Sequence, residues 1–514
     1  ASAALAVVEP QGSGLGGGGF WLLHRGQADS SVMVDGRERA PRAASEDMYV
    51  DESGERIPRL SLDGPLAAGI PGEPAALDHI ARHYGDLPLA RSLAPAIRLA
   101  REGFTVNADY QGLARFRLEA LRAQDRASRL FLDDGEPPEP GWRLRQPALA
   151  RTLERLAEDG RDGFYRGPVA RAMVDSVRAG GGIWTLADLA EYEVIEREPI
   201  RFDYRGIRVT SAPPPSAGGV GLATMLNILE RFELADMSRV DRVHHVVEAM
   251  RRAYRDRHRY LGDPDFVDIP VSRLTSDAYA GELAAGIDPA RASASRALTS
   301  SAGGRDTTHL SIIDTEGNRV AATLSVNYPF GAAWVAGDTG VLLNDEMDDF
   351  AARPGKPNAY GLIGGEPNAI APGKRPLSSM SPTFLETPDR VAVLGTPGGS
   401  RIITMVLLGA LAFERGEPPT AWVTRPRYHH QYLPDHIQHE PDTFDADTAG
   451  ALRAMGHELE SVGRHYGDMQ AILWDRVSGT VSAAADPRGQ GLGASFRVEQ
   501  RQAGAEGRTA NAPE

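Results

Sequence analysis

The sequence predicts a layered fold that mixes helices with β hairpins and lacks the regular βαβ alternation of a parallel sheet. Three observations carry that prediction. Residues 74–180 hold a series of segments with apolar residues at i, i+3 and i+4. "HLSIIDTEGNRVAATLSVNYPF" (309–330) is two β runs joined by a Thr-Glu-Gly-Asn turn. The 514 residues are 41% hydrophobic, enough for one large layered domain or for more than one domain.

The elements follow in chain order. The apolar opening "ASAALAVVEP" reads as the end of a buried helix whose beginning is missing, so the chain is expected to be a piece of a longer product with any export signal upstream. Residues 11–36 read as a Gly-rich loop, a strand ("FWLLHR"), a polar turn and a second strand ("SVMVDG"). "AALDHIARHYG", "LAPAIRLAREGF", "LARFRLEALRAQ" and "VARAMVDSVRAGG" read as helices, two of them ending on Gly. "SAPPPSAGG" (211–219) is a rigid turn ahead of the helix "VGLATMLNILERF", and helices continue through 240–262 and 276–286. Residues 287–305, rich in Ala, Ser and Gly, read as a mobile surface segment. Beyond the hairpin, strands are expected at 389–395 and within 469–483, helices at 401–414 and 447–455, and a frayed last dozen residues. No internal repeat is evident.

Bulk composition removes several function classes. A net charge of −14 argues against nucleic acid, whose phosphates need a basic face. Zero cysteines exclude disulfides, thiol catalysis and Cys-zinc sites. No run of 18 apolar residues is present to span a membrane.

Each motif carries a plain reading beside a chemical one. "GSGLGG" (12–17) spells G-x-G-x-x-G, but a strand-like run follows it instead of a helix, so a backbone-crowded turn is expected and a nucleotide site is not. "YHHQYLPDHIQHE" contains His429, His430, His436 and His439. Pro434 interrupts any helix there, so packing or hydrogen-bonding roles are expected over metal. "LLNDEMDDF" carries Asp345, Glu346, Asp348 and Asp349, either a solvated acidic turn or a carboxylate pocket for an ammonium group. "GTPGGSR" (395–401) leads into a helix, where outward N–H groups suit an oxyanion. In "GGRDTTHLSIID" (303–314), Thr307 and Thr308 suit the opening of a strand. If the Asp306–Thr307 bond were cut, Thr307 would instead carry both a nucleophilic hydroxyl and an α-amine base titrating near 8.

The ordered set "TTHLSIID", "LLNDEMDDF", "KRPLSSMSPT", "GTPGGSRI" and "PRYHHQYLPD" resembles the γ-glutamyltranspeptidase family. Upstream, "GLGGGGF", "RERAP", "PAIRLAREGF", "PPPSAGG" and "YLGDPDF" are similar to it as well, so the resemblance covers nearly the whole chain. It implies an α+β fold, the four-layer αββα sandwich of the N-terminal-nucleophile hydrolases, made as a precursor that cleaves itself between Asp306 and Thr307. A larger portion (1–306) and a smaller one (307–514) would stay associated in one folded unit.

The resemblance also implies roles. Thr307 would be the nucleophile, with Ser325 standing where the family usually has an assisting threonine. Arg37 would take the substrate α-carboxylate, with Ser378 and Ser379 beside it. Glu346 and Asp349 would hold the α-ammonium, helped by Asn327, and Glu346 stands where some members carry Gln. Gly398 and Gly399 would supply the oxyanion hole. Residues 351–373 resemble a lid loop, with Tyr360 at its gating position. The implied activity is γ-glutamyl hydrolysis and transfer from glutathione-like donors to water or an amine, with no metal or organic cofactor, in the periplasm or outside the cell. Two alternatives stand beside it: a glutaryl or cephalosporin acylase of the same superfamily, and an unprocessed binding protein.

Overall fold

A computed structural model describes residues 1–295, 307–351, 358, 361–362 and 364–496. Residues 296–306, Tyr360 and the expected frayed end therefore lie outside the described residues, Asp306 among them, as does part of the expected lid.

Two antiparallel sheets form the middle of the molecule. The first has five strands in the order Ile195–Arg197, Ser30–Gly36, Gly18–Arg25, Arg319–Ser325, Thr308–Ile313. The second has six, in the order Val481–Ala485, Gln470–Asp475, Arg390–Gly395, Thr383–Glu386, Ile207–Ser211, Ile200–Tyr204. Both sheets draw strands from either side of residue 306.

Strand alternation sorts the side chains of Gly18–Arg25 between two layers. Phe20 and Leu22 join Met33 and Ala321 in the core that contains Phe384, Ala392 and Leu394 of the second sheet. Trp21 and Leu23 join Val34, Ala322 and Leu324 on the opposite face, under Ala76 of the helix Glu73–His83. The outer layer on that side continues through the helices Leu89–Glu102 and Pro147–Asp159, which pack on each other. On the far side of the second sheet lie Gly218–Leu229 and Ile402–Glu414. Every residue of the first and Ile402 to Phe413 of the second are buried. Helices apolar all round need cover on all sides. Here the 22-residue helix Arg239–Tyr260, N-capped by Ser238, covers Gly218–Leu229 from outside. The layers are α, β, β, α: the four-layer α+β sandwich.

The expected Gly-rich turn is as crowded as its sequence suggests. A Cβ on Gly16 would sit 2.0 Å from the Leu342 carbonyl oxygen, and one on Gly17 would sit 2.1 Å from that of Ser325. The turn feeds directly into the strand Gly18–Arg25, whose Gly18 pairs with Ser325.

Four expectations need correction. "LARFRLEALRAQ" is two helices, Ala108–Phe116 and Leu118–Arg122. The strands Ile195–Arg197, Ile200–Tyr204, Ile207–Ser211 and Thr383–Glu386 were not anticipated, being only three to five residues long. Residues 469–483 hold two strands joined by a turn. The described part of the expected mobile segment is tied down: Ala292 N donates to Met455 O at 2.7 Å, Ser293 Oγ to Glu248, and Ser295 N to Asp435 at 2.6 Å.

Gly17→Ala is expected to destabilise the protein by about 1–3 kcal/mol, because the strand carrying Ser325 must move to admit a methyl group. A lowered midpoint in thermal unfolding checks this, and an unchanged midpoint contradicts it.

Candidate active site

The first sheet's pairing separates the two threonines. Thr308 pairs with Leu324 and turns inward, its hydroxyl donating to Glu9 Oε2 at 2.7 Å. Thr307, one residue earlier, faces the other way and lies opposite Ser325, with 3.3 Å between the hydroxyl oxygens. Ser325 Oγ accepts the Asn327 N–H at 2.8 Å. Asn327 holds φ at +74°, a left-handed conformation that Asn tolerates, and its amide Nδ2 donates to Asp345 O at 3.0 Å.

Thr307, Ser325 and Asn327 line one narrow cleft with Glu346, Asp349, Ser378, Ser379 and Gly399, about 300 Å3 including its open mouth. Gly398 lies on the other side of Thr307, in the wall of a larger groove. The acidic motif is no solvated turn. Asp345, Glu346 and Asp348 are at most 1% exposed.

The charge at the cleft is set by Arg37. Its guanidinium is fully buried, directly after the strand Ser30–Gly36, with its backbone held by Asp35 and by the Tyr192 hydroxyl. Nη1 lies 2.6 Å from Glu346 Oε2 and 3.4 Å from Glu38 Oε2, Nη2 donates to Asp349, and Nε donates to Pro376 O. One cation thus faces three carboxylates. Burial works against its charge, but Glu346, Asp349 and Glu38 together raise its pKa above the ordinary value. Burial pushes the Glu346 carboxyl well up, with Arg37 opposing, and pushes Glu38 up to about 7. Despite the close approach of Arg37, neither Glu346 oxygen accepts a hydrogen bond of good geometry among the described residues. An unused carboxyl acceptor at the cleft, beside Asp349, suits an incoming ammonium group.

The remaining motifs brace this centre. Pro215 O accepts the Ser378 N–H, Ala217 N donates to Ser378 O, and Ser216 Oγ donates to Met380 O, so "PPPSAGG" holds the serine pair. Gly398 (φ +141°) and Gly399 (φ +57°) bend the chain into the start of Ile402–Glu414, where first-turn N–H groups have no helical acceptor. The histidine motif stands behind that bend. Ser400 Oγ donates to Gln431, which bonds His429, and His429 in turn bonds Thr404. His430 bonds Asp435, His436 lies 2.7 Å from Glu460, and His439 bonds Glu440 O. The cluster His244, Glu248 and His457 has metal-ligand composition. However, Glu248 is occupied by Arg251, Arg252 and Ser293, and the two rings bond each other at 2.8 Å.

A model of the gamma-glutamyltranspeptidase family matches residues 1–496. The chain belongs to that family. Among its relatives, a glutathione hydrolase proenzyme of Escherichia coli K12 is 42% identical over 494 residues, 94% of this chain and 84% of that one. The solved cephalosporin acylase of Bacillus halodurans superposes with a TM-score of 0.83 at 30% identity, over 97% of this chain and 90% of that one. Helicobacter pylori gamma-glutamyltranspeptidase gives 0.55 at 36% identity over 57% of this chain and 84% of its own.

Two residues beside this family's cleft escaped the sequence reading. Arg257 is buried and its Nη2 reaches Ser379 Oγ at 3.4 Å, within the electrostatic reach of Arg37 and Asp349. It stands among seven arginines of one helix, and only its spacing from buried Met250 and Tyr254 marks it as inward. Tyr254 donates to Ser400 O, tying that helix to the glycine bend.

Burial pushes His309 down to about 3, and His430 and His457 down to about 4. Their folded values lie below the unfolded one near 6.5, so the neutral rings stabilise fully above pH 6.5 and lose that contribution as pH falls. Each ring is expected to cost about 1.4 kcal/mol per pH unit between 6.5 and its folded value. The thermal midpoint should drop steeply from pH 6.5 to 4.5, less so in His309→Gln; a flat profile contradicts this.

Proposed function

We propose that this chain is a γ-glutamyl hydrolase and transpeptidase that matures by cutting itself between Asp306 and Thr307. The observation that supports it most is the ion-paired set of buried Arg37 and Glu346 with half-buried Asp349 at the cleft that Thr307 also lines. A γ-glutamyl group is zwitterionic at its α-carbon and ends in an amide. Arg37, with Ser378 and Ser379, takes the α-carboxylate; Glu346 and Asp349, with Asn327 beside them, take the ammonium.

In maturation, Thr307 Oγ1 attacks the Asp306 carbonyl carbon, the peptide C–N bond breaks, and water hydrolyses the resulting ester. Thr307 then carries a free α-amine, which accepts the hydroxyl proton when Oγ1 attacks the γ-carbonyl of a donor such as glutathione. Ser325 donates to Oγ1, and the Gly398 and Gly399 amides receive the oxyanion. The proton moves from the α-amine to the departing amine, and water or a second amine releases the γ-glutamyl group. Portions 1–306 and 307–514 remain together because each supplies strands to both sheets. Tyr360 is the proposed gate of a lid. Location follows the family's habit, in the periplasm or outside the cell; no helix among the described residues is long and apolar enough to cross a membrane.

Thr307→Ala is expected to leave one full-length band on a denaturing gel and no turnover, whereas the unaltered chain gives two bands. Persisting turnover would remove Thr307 as the nucleophile. The acylase reading is separated by substrate. Glutaryl groups lack the ammonium that Glu346 and Asp349 await, so γ-glutamyl-p-nitroanilide should turn over about a hundredfold faster than glutaryl-p-nitroanilide. Faster glutaryl turnover would reverse the assignment.

A further inference from the structure

Thr307 stands between two cavities of very different size. The cleft with Glu346 and Asp349 is narrow, about 300 Å3; the groove on the other side, likewise including its open mouth, measures about 2230 Å3 and is walled by Thr307 and Gly398. An acyl group held by Arg37 fills the cleft. The rest of an amide substrate, and the amine that replaces it, must then lie on the groove side of Thr307.

The groove has a distinct chemistry. Glu9, Asp109 and Asp468 line it, and Phe116, 60% exposed, stands in its wall with Tyr328 5.7 Å away between ring centres. Two cations also line it. Arg488 is committed to Glu440 at 2.8 and 2.7 Å and to Asp486 at 3.1 Å, while Arg464 is exposed at the rim. The three carboxylates feel one another: burial pushes Glu9 up against its bond from Thr308, with Asp109 adding, and burial, Asp486, Glu9 and Asp109 push Asp468 up to about 7 against the pull of Arg427.

We propose that this groove receives the acceptor amine and that Glu9, Asp109 and Asp468 make it select acceptors carrying a second positive charge, such as basic dipeptides; the proposal rests on the γ-glutamyl transfer reading. In the transfer, the neutral acceptor nitrogen bonds to the γ-carbonyl carbon of the acyl-threonine. The bond from that carbon to Thr307 Oγ1 breaks, and the proton lost by the amine passes through the Thr307 α-amine to Oγ1. The groove carboxylates take no part in these bonds; they hold the far, cationic end of the acceptor. Opposite charges a few ångströms apart in a partly wet groove favour a cationic over an anionic end about tenfold. Asp468 gains its charge as pH rises through about 7, so the preference strengthens in that direction.

The test uses the autoprocessed full chain with γ-glutamyl-p-nitroanilide as donor. Gly-Lys, Gly-Gln and Gly-Glu serve as acceptors, because all three attack through the same glycine amine. The acceptor KM is expected to rise in that order, with about tenfold between Gly-Lys and Gly-Glu. Asp109 is exposed, so Asp109→Asn should fold normally and is expected to shrink the ratio to about threefold, as should about 0.5 M salt. Equal KM values for the three dipeptides, or a ratio untouched by both Asp109→Asn and Asp468→Asn, would overturn the proposal alone. Failure to release p-nitroaniline even in water would sink the γ-glutamyl reading and this proposal with it.

Discussion

The site depends on one buried charge cluster: the Arg37 guanidinium packed against three carboxylates, with Arg257 in electrostatic reach of the same group. Burial makes each charge in the cluster costly, and it pushes the Glu346 and Glu38 carboxyls up against the pull of Arg37. The protein tolerates that cost because neighbouring parts hold the group rigid. Tyr192, Asp35 and Pro376 fix Arg37, while the 3-10 turn Glu346–Asp349 presents its carboxylates from the opposite strand connection. On the proposed reading, a zwitterion bearing one carboxylate and one ammonium would find a partner for each end without changing the net charge.

The two sheets serve this centre in different ways. The first sheet sets the register that separates Thr307 from Thr308 and puts Ser325 beside the former. The second sheet, with its buried helices, positions the serine pair and the glycine bend, which are braced in turn by "PPPSAGG" and by the histidine motif. The four histidines are thus bonded to named protein partners, two of them fully buried and neutral by desolvation.

Much of this was legible in the sequence because the chemistry sits in short contiguous motifs. The hairpin around Thr307, the acidic run, the serine pair and the glycine bend each declare themselves locally, and their order discloses that they belong together. What stayed hidden depends on packing between distant segments. Glu38 lies inside "RERAP" in plain view, yet nothing local says that its carboxylate turns toward the same guanidinium as Glu346. Whether the acidic run is wet or dry could not be read from composition, since only the surrounding layers make it dry. The strands between 195 and 211 do alternate apolar with charged residues, but in runs too short to stand out between helical stretches.

The sheets' mixed ancestry has a kinetic consequence. Three strands of the first sheet precede residue 306 and two follow it; in the second, two precede and four follow. Neither portion holds a complete hydrogen-bonded layer, so neither can fold to its final form and then seek the other as a finished subunit. A break at residue 306 leaves every strand pairing as it was. Halves from different molecules could therefore not be exchanged without dismantling both sheets.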